Sequence, residues 1–189
     1  MPSAQTEAAS RQRLFMALWP DEDVRRRLTR VRDRGAAEHR GRPVAAENLH
    51  ITLAFLGASD GRQRACAERA AGQVRAAPFT LVLERVGYWP RPRVVWVGSE
   101  QTPAPLSALV GALQQGLAEC GFSLDERPFQ PHITVLRKVP PCPGFEPLLD
   151  DPIEWPVNHF HLVASETRST GAEYHTIATW PLAGDQQPR

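Results

Sequence analysis

The sequence has no long apolar run, since none of its uninterrupted apolar stretches approaches the roughly 18 residues of a membrane-spanning helix. Its first ten residues, MPSAQTEAAS, are small and polar and lack the apolar core of a secretory signal peptide. We therefore expect a cytoplasmic protein that does not contact membranes. We also expect residues 1–11 to be a disordered N-terminal lead segment and residues 184–189 to be a flexible C-terminal tail.

Cysteine is scarce, with three residues at Cys66, Cys120 and Cys142. They lie far apart, and no CxxC pair or cysteine and histidine cluster with zinc-binding spacing occurs. A disulfide framework and a structural zinc site are therefore not expected. We predict buried or idle thiols in a reducing compartment.

Net charge is also small, with a formal value of +1 at pH 7. Proteins that coat long nucleic acids by bulk electrostatic attraction carry a clear basic excess, so this function class is excluded. Small anionic ligands and the ends of RNA chains are compatible with the composition. Six arginines between residues 25 and 34 fall on one side of a predicted helix, and we interpret them as a solvated face rather than an RNA-binding stripe.

The 189 residues suffice for one domain or for two small lobes that share a cleft. Periodicity, prolines and glycines predict strands at 13–19, 49–57, 79–88, 94–98, 131–135, 157–167 and 174–182, and helices at 21–35, 62–77 and 105–121. Residues 139–156 hold six prolines and are predicted to be a surface loop. This order predicts an α+β domain over residues 12–183, with mostly antiparallel sheets and helices on their outer faces.

One short pattern occurs twice, as Leu49-His50-Ile51-Thr52-Leu53 and as Pro131-His132-Ile133-Thr134-Val135. Side chains alternate between the two faces of a strand, so the His and Thr of each copy share one face while the apolar residues face the core. If the two strands meet across a groove, that groove holds two imidazoles and two hydroxyls. The wide separation of the copies indicates pseudo-symmetric lobes rather than an array of short repeats.

Two imidazoles and two hydroxyls predict a site for a phosphate ester. An imidazole with its ordinary pKa of roughly 6.5 acts as acid or base at neutral pH. One ring can therefore take a proton from water while the other protonates the leaving ribose oxygen, and the hydroxyls can hold the phosphoryl oxygens. This chemistry needs no metal and no other cofactor, and neither copy carries a carboxylate pair that would hold a metal.

Other candidates carry a weaker signal. His159 and His161 share a strand face and would be two ligands of a metal, but no third ligand has useful spacing, so we interpret them as an exposed face. Tyr88 and Trp89 lie at a predicted hairpin tip, where an aromatic ring stacks on a base or packs on the surface. Trp19 is interpreted as a packing residue.

The sequence resembles the 2H phosphoesterase superfamily, and within it the RNA 2′,3′-cyclic phosphodiesterases, also called 2′-5′ RNA ligases. The segments that carry the resemblance are RLFMALWPDEDVRRRL, NLHITLAFLG, PFQPHITVLRK and FHLVASETRSTGAEYHTIATWPL. They occur in family order and cover nearly the whole expected domain. The resemblance implies a bilobal fold in which two pseudo-symmetric, mostly antiparallel sheets line a central cleft with helices outside.

The resemblance also implies roles for individual residues. His50 would protonate the 3′-oxygen of a 2′,3′-cyclic phosphate, His132 would activate water, and the two hydroxyls, of Thr52 and Thr134, would bind the phosphate. The positions five residues after each histidine, Phe55 and Arg137, contact the base in similar proteins. Strict alternation puts both on the face opposite the histidines, so either the strands bulge or end before them, or these two residues are structural.

The expected function is metal-independent hydrolysis of RNA or nucleotide 2′,3′-cyclic phosphate ends to a 2′-phosphate by a monomer. Ligation of 2′-5′ RNA ends is an alternative that would use the same residues. A non-catalytic module that binds RNA ends is a second alternative, against which both intact histidines count. A metal hydrolase built on His159 and His161 is a third.

Overall fold

The computed structural model describes residues 11–141, 148–168 and 171–183, so nearly all of the expected lead and all of the expected tail lie outside this part. The described residues form nine strands, three α-helices and one 3₁₀ turn. In chain order they are β1 (Gln12–Leu18), α1 (Glu22–His39), β2 (Arg42–Pro43), the 3₁₀ turn (Ala46–Asn48), β3 (Ile51–Ser59), α2 (Gly61–Gln73), β4 (Phe79–Trp89), β5 (Val94–Gly98), α3 (Ala104–Glu119), β6 (His132–Arg137), β7 (Leu148–Val157), β8 (His159–Arg168) and β9 (Gly171–Pro181).

The strands pair antiparallel in the order β7, β4, β5, β6, β3, β1, β8, β9, with β2 alongside β6. The sheet is narrow at its centre, because among the described residues β3 and β6 share one opposed pair, Ile51 and Ile133. We call β3, β1, β8 and β9 the first lobe, and β6, β5, β4 and β7 the second lobe. The α+β, two-lobed fold is confirmed, with the two expected sheets joined at one point.

The helices cover the face of the sheet that carries Ile51 and Ile133. Helix α1 packs on β6 and β7 of the second lobe, whereas α2 and α3 pack on β3 of the first lobe. Apolar side chains from all three helices join the two isoleucines in one core; they include Val24, Leu28, Ala67, Leu106, Leu109 and Leu113. The lobes are interleaved, because β1 of the first lobe leads into α1 of the second and β5 of the second lobe leads into α3 of the first.

Helix α1 begins where the acidic residues predicted its start, since the Asp21 carboxylate accepts a 2.8 Å hydrogen bond from the Val24 backbone N–H. Its end differs from the prediction. The helix runs through Gly35 and stops before Arg40, which has a left-handed φ of 52°. A Cβ at residue 35 would stand 3.3 Å from the Leu136 side chain, so this glycine permits close packing of α1 on β6.

Strand β7 corrects the prediction of a surface loop over residues 139–156. Residues 148–157 form a strand that pairs with β4 at the edge of the sheet, while 142–147 lie outside the described residues. Pro152 and Pro156 suggested a loop, but an edge strand tolerates proline because one of its sides makes no ladder hydrogen bonds. Ile153, Trp155 and Val157 alternate into the core.

The arginines of α1 are largely neutralised by carboxylates, as expected for a solvated helix face. The ion pairs are Arg25 with Glu22, Arg26 with Asp23, Arg27 with Asp151, Arg32 with Asp33, and Arg34 with both Glu38 and Asp150.

Within the described part of the chain, no helix is both long and apolar enough to cross a membrane.

The prediction of unpaired thiols is wrong for two of the three cysteines. Cys66 of α2 and Cys120, directly after α3, form a disulfide with their Cα atoms 5.8 Å apart. The two residues are 54 positions apart in sequence, and they become neighbours only because both helices pack on the first lobe. Cys142 lies outside the described residues.

This disulfide generates a stability prediction. Closing a loop of 54 residues removes conformational freedom from the unfolded chain, which in the chain-entropy view contributes about 4 kcal/mol to the free energy of unfolding. Urea unfolding of the oxidised protein is expected to show this excess over the Cys66→Ser/Cys120→Ser variant. The reducing agent dithiothreitol should lower the stability of the wild type to that of the variant and leave the variant unchanged. Equal stabilities with and without the reductant would contradict the pairing.

Candidate active site

The Ile51–Ile133 pair brings the two His-x-Thr patterns together. Both isoleucines are fully buried on the helix side, so the residues before and after each point to the other face of the sheet. Because β3 and β6 run antiparallel, His50 and Thr134 lie on one side of the isoleucine pair, and Thr52 and His132 on the other. The four polar side chains are therefore related by an approximate two-fold axis between the isoleucines.

A bulge in each strand brings Phe55 and Arg137 to this same face. The pairing of β3 with β1 skips Leu53, and the pairing of β6 with β5 skips Val135. An extra residue turns the following side chains to the opposite face of a strand. Phe55 is accordingly 71% exposed, and both Phe55 and Arg137 line the cleft between the lobes. Of the two possibilities left open by the sequence, the structure shows bulging strands.

The two imidazoles are held in the same way by backbone carbonyl groups. His50 Nδ1–H donates to the carbonyl oxygen of Asn48 at 2.7 Å, and His132 Nδ1–H donates to that of Gln130 at 2.8 Å. A carbonyl oxygen only accepts, so in each neutral ring the proton resides on Nδ1 and Nε2 keeps a free lone pair. In His50 this lone pair accepts the hydroxyl proton of Thr52, with Nε2 and Oγ1 3.0 Å apart.

The surroundings of the two rings differ. The His50 imidazole lies among three aromatic rings, with centroid distances of 5.0 Å to Phe15, 5.2 Å to Trp19 and 5.3 Å to Tyr174. The Trp19 indole N–H donates to the hydroxyl oxygen of Thr176 at 3.2 Å, which ties this wall to β9. Trp19 is thus a packing residue as predicted, but it packs against the site rather than in the main core.

His132 meets a smaller aromatic wall. The Trp89 ring contacts it nearly edge to face, with centroids 4.5 Å apart, and in turn packs on Trp96 at 5.3 Å. Trp96 fits here because its neighbour on β4 is Gly87, where a Cβ would stand 2.1 Å from the indole. Trp89, a candidate base platform in the sequence, therefore supports a histidine ring.

Burial makes both imidazoles weak bases in the free protein. The pKa of His50 is lowered to about 4, mainly by desolvation. The hydrogen bond to the Asn48 carbonyl opposes this shift, and the electrostatic effects of Arg137 and His132 contribute to it. Burial also lowers the pKa of His132. Both rings are therefore neutral at pH 7, and a bound anion between them would favour their protonated forms.

The cleft has a volume of about 990 Å³, at the upper end of the roughly 300–1,000 Å³ of ligand pockets. Its lining residues come mainly from the side of His132. Thr52, Phe55, His132, Thr134 and Arg137 face it, together with the turn after β4, Gln114 of α3 and residues from 124–130. In the described chain β1, β8 and β9 contribute none of the lining, because the aromatic wall fills the space beyond His50. The cleft therefore opens on the side of His132.

No metal cluster lies at this cleft among the described residues. Within the described ranges one group of three side chains has suitable spacing, Glu166, Glu173 and His175, and all three are exposed on the hairpin of β8 and β9. Arg168 already pairs with both glutamates. His161 forms no such group with other described residues. It bonds through Nδ1 to the Thr179 hydroxyl at 2.9 Å, and desolvation lowers its pKa to about 4.

A family model described as the 2′-5′ RNA ligase superfamily matches residues 20–168. The RNA 2′,3′-cyclic phosphodiesterase of Escherichia coli (strain K12) is 37% identical over 177 residues, which cover 90% of this chain and 97% of that protein. The protein of the same name from Thermus thermophilus is 32% identical over 185 residues, covering 92% and 91%.

Solved structures show the same likeness. E. coli LigT in its apo form superposes with a TM-score of 0.82 at 36% identity, covering 92% of this chain and 98% of that one. LigT complexed with 3′-AMP superposes with a TM-score of 0.83 at 36% identity, covering 91% and 98%.

The buried imidazoles generate a titration prediction. In the free protein His50 should stay neutral until the pH falls to about 4, and His132 should also titrate below its ordinary range, as followed by NMR of the imidazole nitrogens. Inorganic phosphate at the cleft should raise both pKa values, because an anion stabilises the imidazolium. His161 serves as the internal control, because it lies outside the cleft and phosphate should leave its pKa at about 4. A His50 signal that titrates near its ordinary value without phosphate would contradict the burial argument.

Proposed function

The chain belongs to the 2′-5′ RNA ligase superfamily, and from this membership and the geometry of the cleft we propose that it hydrolyses 2′,3′-cyclic phosphate ends of RNA or nucleotides to 2′-phosphates. One observation carries the proposal. Two imidazoles whose Nδ1 atoms are held by backbone carbonyl groups and two hydroxyls lie around one two-fold axis on one face of the sheet. Thr52, His132 and Thr134 line the cleft, and His50 reaches it through its hydrogen bond with Thr52. The matching relatives are named RNA 2′,3′-cyclic phosphodiesterase, in E. coli and in T. thermophilus.

The cyclic phosphate is proposed to sit between the two rings, on the axis. There the hydroxyls of Thr52 and Thr134 donate to its non-bridging oxygens, which carry the negative charge that grows during the reaction. Thr52 leaves its hydrogen bond with His50 for this purpose, which frees the His50 Nε2 for proton transfer. A solved complex of the relative LigT with phosphate supports an anion site in this fold.

The reaction needs one base and one acid on opposite sides of phosphorus. His132 Nε2 takes a proton from water as the water oxygen bonds to phosphorus. The bond between phosphorus and the 3′-oxygen breaks, and His50, protonated at Nε2 when the anion is bound, gives its proton to that oxygen. The product carries a 2′-phosphate and a 3′-hydroxyl, and the histidines exchange protonation states, which solvent restores.

The two surroundings support this assignment of roles. His132 lines the open cleft, where the attacking water enters. His50 lies against three aromatic rings, which exclude water from its other sides and suit a group that donates to a leaving oxygen. The assignment agrees with the roles implied by the family resemblance.

Phe55 and Arg137 are proposed to hold the terminal base. The bulges turn both side chains to the cleft, where a ring and a guanidinium are suited to stacking and cation–π contact with a nucleobase. Arg137 is also close enough to His50 for its charge to lower the pKa of that ring. The solved complex of LigT with 3′-AMP is consistent with a nucleotide at this site.

Ligation is a second candidate function, favoured by the description of the matching family as RNA ligases. It is the same ring-opening step with a ribose 5′-hydroxyl in place of water: the 5′-oxygen bonds to phosphorus, the bond to the 3′-oxygen breaks, and the same residues would serve. Measuring hydrolysis and ligation on one RNA that ends in a cyclic phosphate, with an excess of 5′-hydroxyl RNA, separates the two.

We further propose a cytoplasmic monomer that needs neither a metal nor another cofactor. A single chain supplies both His-x-Thr patterns, so the site is complete without a partner subunit. The cytoplasmic location rests on the proposed substrate, the end of an RNA chain.

The proposed roles predict the effect of removing either histidine. Adenosine 2′,3′-cyclic phosphate should be hydrolysed to 2′-AMP in the presence of EDTA with a bell-shaped pH profile. His50→Ala and His132→Ala should each lower kcat by about 10²–10⁴-fold, the range of general acid or base catalysis. Product chromatography distinguishes 2′-AMP from 3′-AMP.

His161→Gln is the matched control, because His161 also bonds to a threonine hydroxyl but lies outside the cleft; its rate should equal that of the wild type. Activity lost in EDTA, or rates unchanged in both alanine variants, would overturn the proposed mechanism.

Phe55→Ala should raise KM for adenosine 2′,3′-cyclic phosphate by about fivefold or more and change kcat little, because stacking on one aromatic ring contributes roughly 1–3 kcal/mol. Phe55→Tyr keeps the ring and should retain the wild-type KM. The steady-state parameters of the three proteins check this. A fall in kcat alone would assign Phe55 a structural role.

A further inference from the structure

The tip of the hairpin between β4 and β5 forms one rim of the cleft. Trp89, Pro90, Arg91 and Pro92 all line it. Trp89 is anchored by its contacts with His132 and Trp96, and the tip is a turn with a proline on each side of Arg91. Proline fixes φ, so this tip is stiff and presents its arginine with little loss of backbone freedom.

Two arginines, Arg91 and Arg127, line the cleft, and they differ in whether a carboxylate neutralises their charge. Arg127 forms a two-pronged ion pair with Asp125, which holds the pKa of that carboxyl down at about 2. Arg91 is exposed and makes no ion pair or side-chain hydrogen bond with any residue in the described ranges. The rim therefore presents a cation that no carboxylate of the described residues neutralises.

The direction in which the cleft opens determines which part of a bound substrate lies near Arg91. A cyclic phosphate held between His50 and His132 has the aromatic wall of Phe15, Trp19 and Tyr174 on one side. The attached nucleoside must therefore extend towards Phe55 and the hairpin tip. Arg91 follows Trp89 by two residues, so its Cα lies within about 8 Å of the Cα of the residue that contacts His132. That distance is comparable to the length of one nucleotide.

We propose that Arg91 binds the internucleotide phosphate on the 5′ side of the terminal nucleotide, so that the enzyme favours oligonucleotide ends over single nucleotides. The inference rests on the proposed function and assigns to it a subsite for single-stranded RNA. Arginine suits a phosphodiester because its planar fork donates two hydrogen bonds to the anionic oxygens. The large cleft volume fits a ligand longer than one nucleotide.

The test compares two substrates that differ by one nucleotide. They are adenosine 2′,3′-cyclic phosphate and the dinucleotide ApA with a 2′,3′-cyclic phosphate end, the latter with one internucleotide phosphate. Arg91→Gln should lower kcat/KM for the dinucleotide about fivefold, as expected for an exposed charge contact, and leave the mononucleotide within twofold. Arg91→Lys should retain part of the preference. The plot of log kcat/KM against log salt for the dinucleotide should become shallower by about 0.7 in Arg91→Gln.

Arg127→Gln is the matched control, since Arg127 lines the same cleft but is neutralised by Asp125; it should leave the substrate preference unchanged. Equal losses on both substrates in Arg91→Gln would overturn the inference and assign Arg91 a structural role through Trp89. An unchanged preference in Arg91→Gln would also overturn it. Neither outcome touches the proposed function, which fails only if the wild type turns over neither substrate.

Discussion

The pairing of Ile51 with Ile133 is the contact on which the site depends. It is the one place where the lobes share a strand pair in the described chain, and it sets the spacing and the antiparallel direction of the two His-x-Thr patterns. The helices stabilise it from behind through a common apolar core. A slip of either strand by one residue would send its histidine into that core and its isoleucine into the cleft.

The approximate two-fold symmetry about this pair extends to the hydrogen bonds of the histidines and to the bulges of the strands. Each histidine bonds to the carbonyl group two residues before it, and each strand bulges two residues after its isoleucine. The surroundings of the two histidines break this symmetry. Three aromatic rings from the first lobe enclose His50, whereas His132 faces the open cleft. Two imidazoles that are held in the same way thereby have different surroundings, which suits the proposed division of roles between an acid and a base.

Much of this arrangement was predictable from local pattern. The His-x-Thr repeat, the antiparallel strands and the start of α1 at Asp21 follow from side-chain alternation and capping chemistry. Other features depend on partners distant in sequence. The Cys66–Cys120 disulfide requires the packing of α2 beside α3, and β7 was missed because its prolines are tolerated only at a sheet edge. The bulges that turn Phe55 and Arg137 to the cleft depend on the registers of β1 and β5. The wall around His50 joins Phe15, Trp19 and Tyr174 from opposite ends of the domain.

The interleaving of the lobes bears on synthesis at the ribosome. Strand β1 is made first, yet one of its two neighbours in the sheet, β8, follows about 140 residues later. Tyr174, which completes the enclosure of His50, is added later still. At a synthesis rate of roughly 5–20 residues per second, the first lobe stays incomplete for several seconds after the His50 strand has emerged. The two histidines thus enter a finished cleft only when nearly the whole domain has been translated, so a partly made chain lacks the complete cleft that is proposed to bind RNA ends.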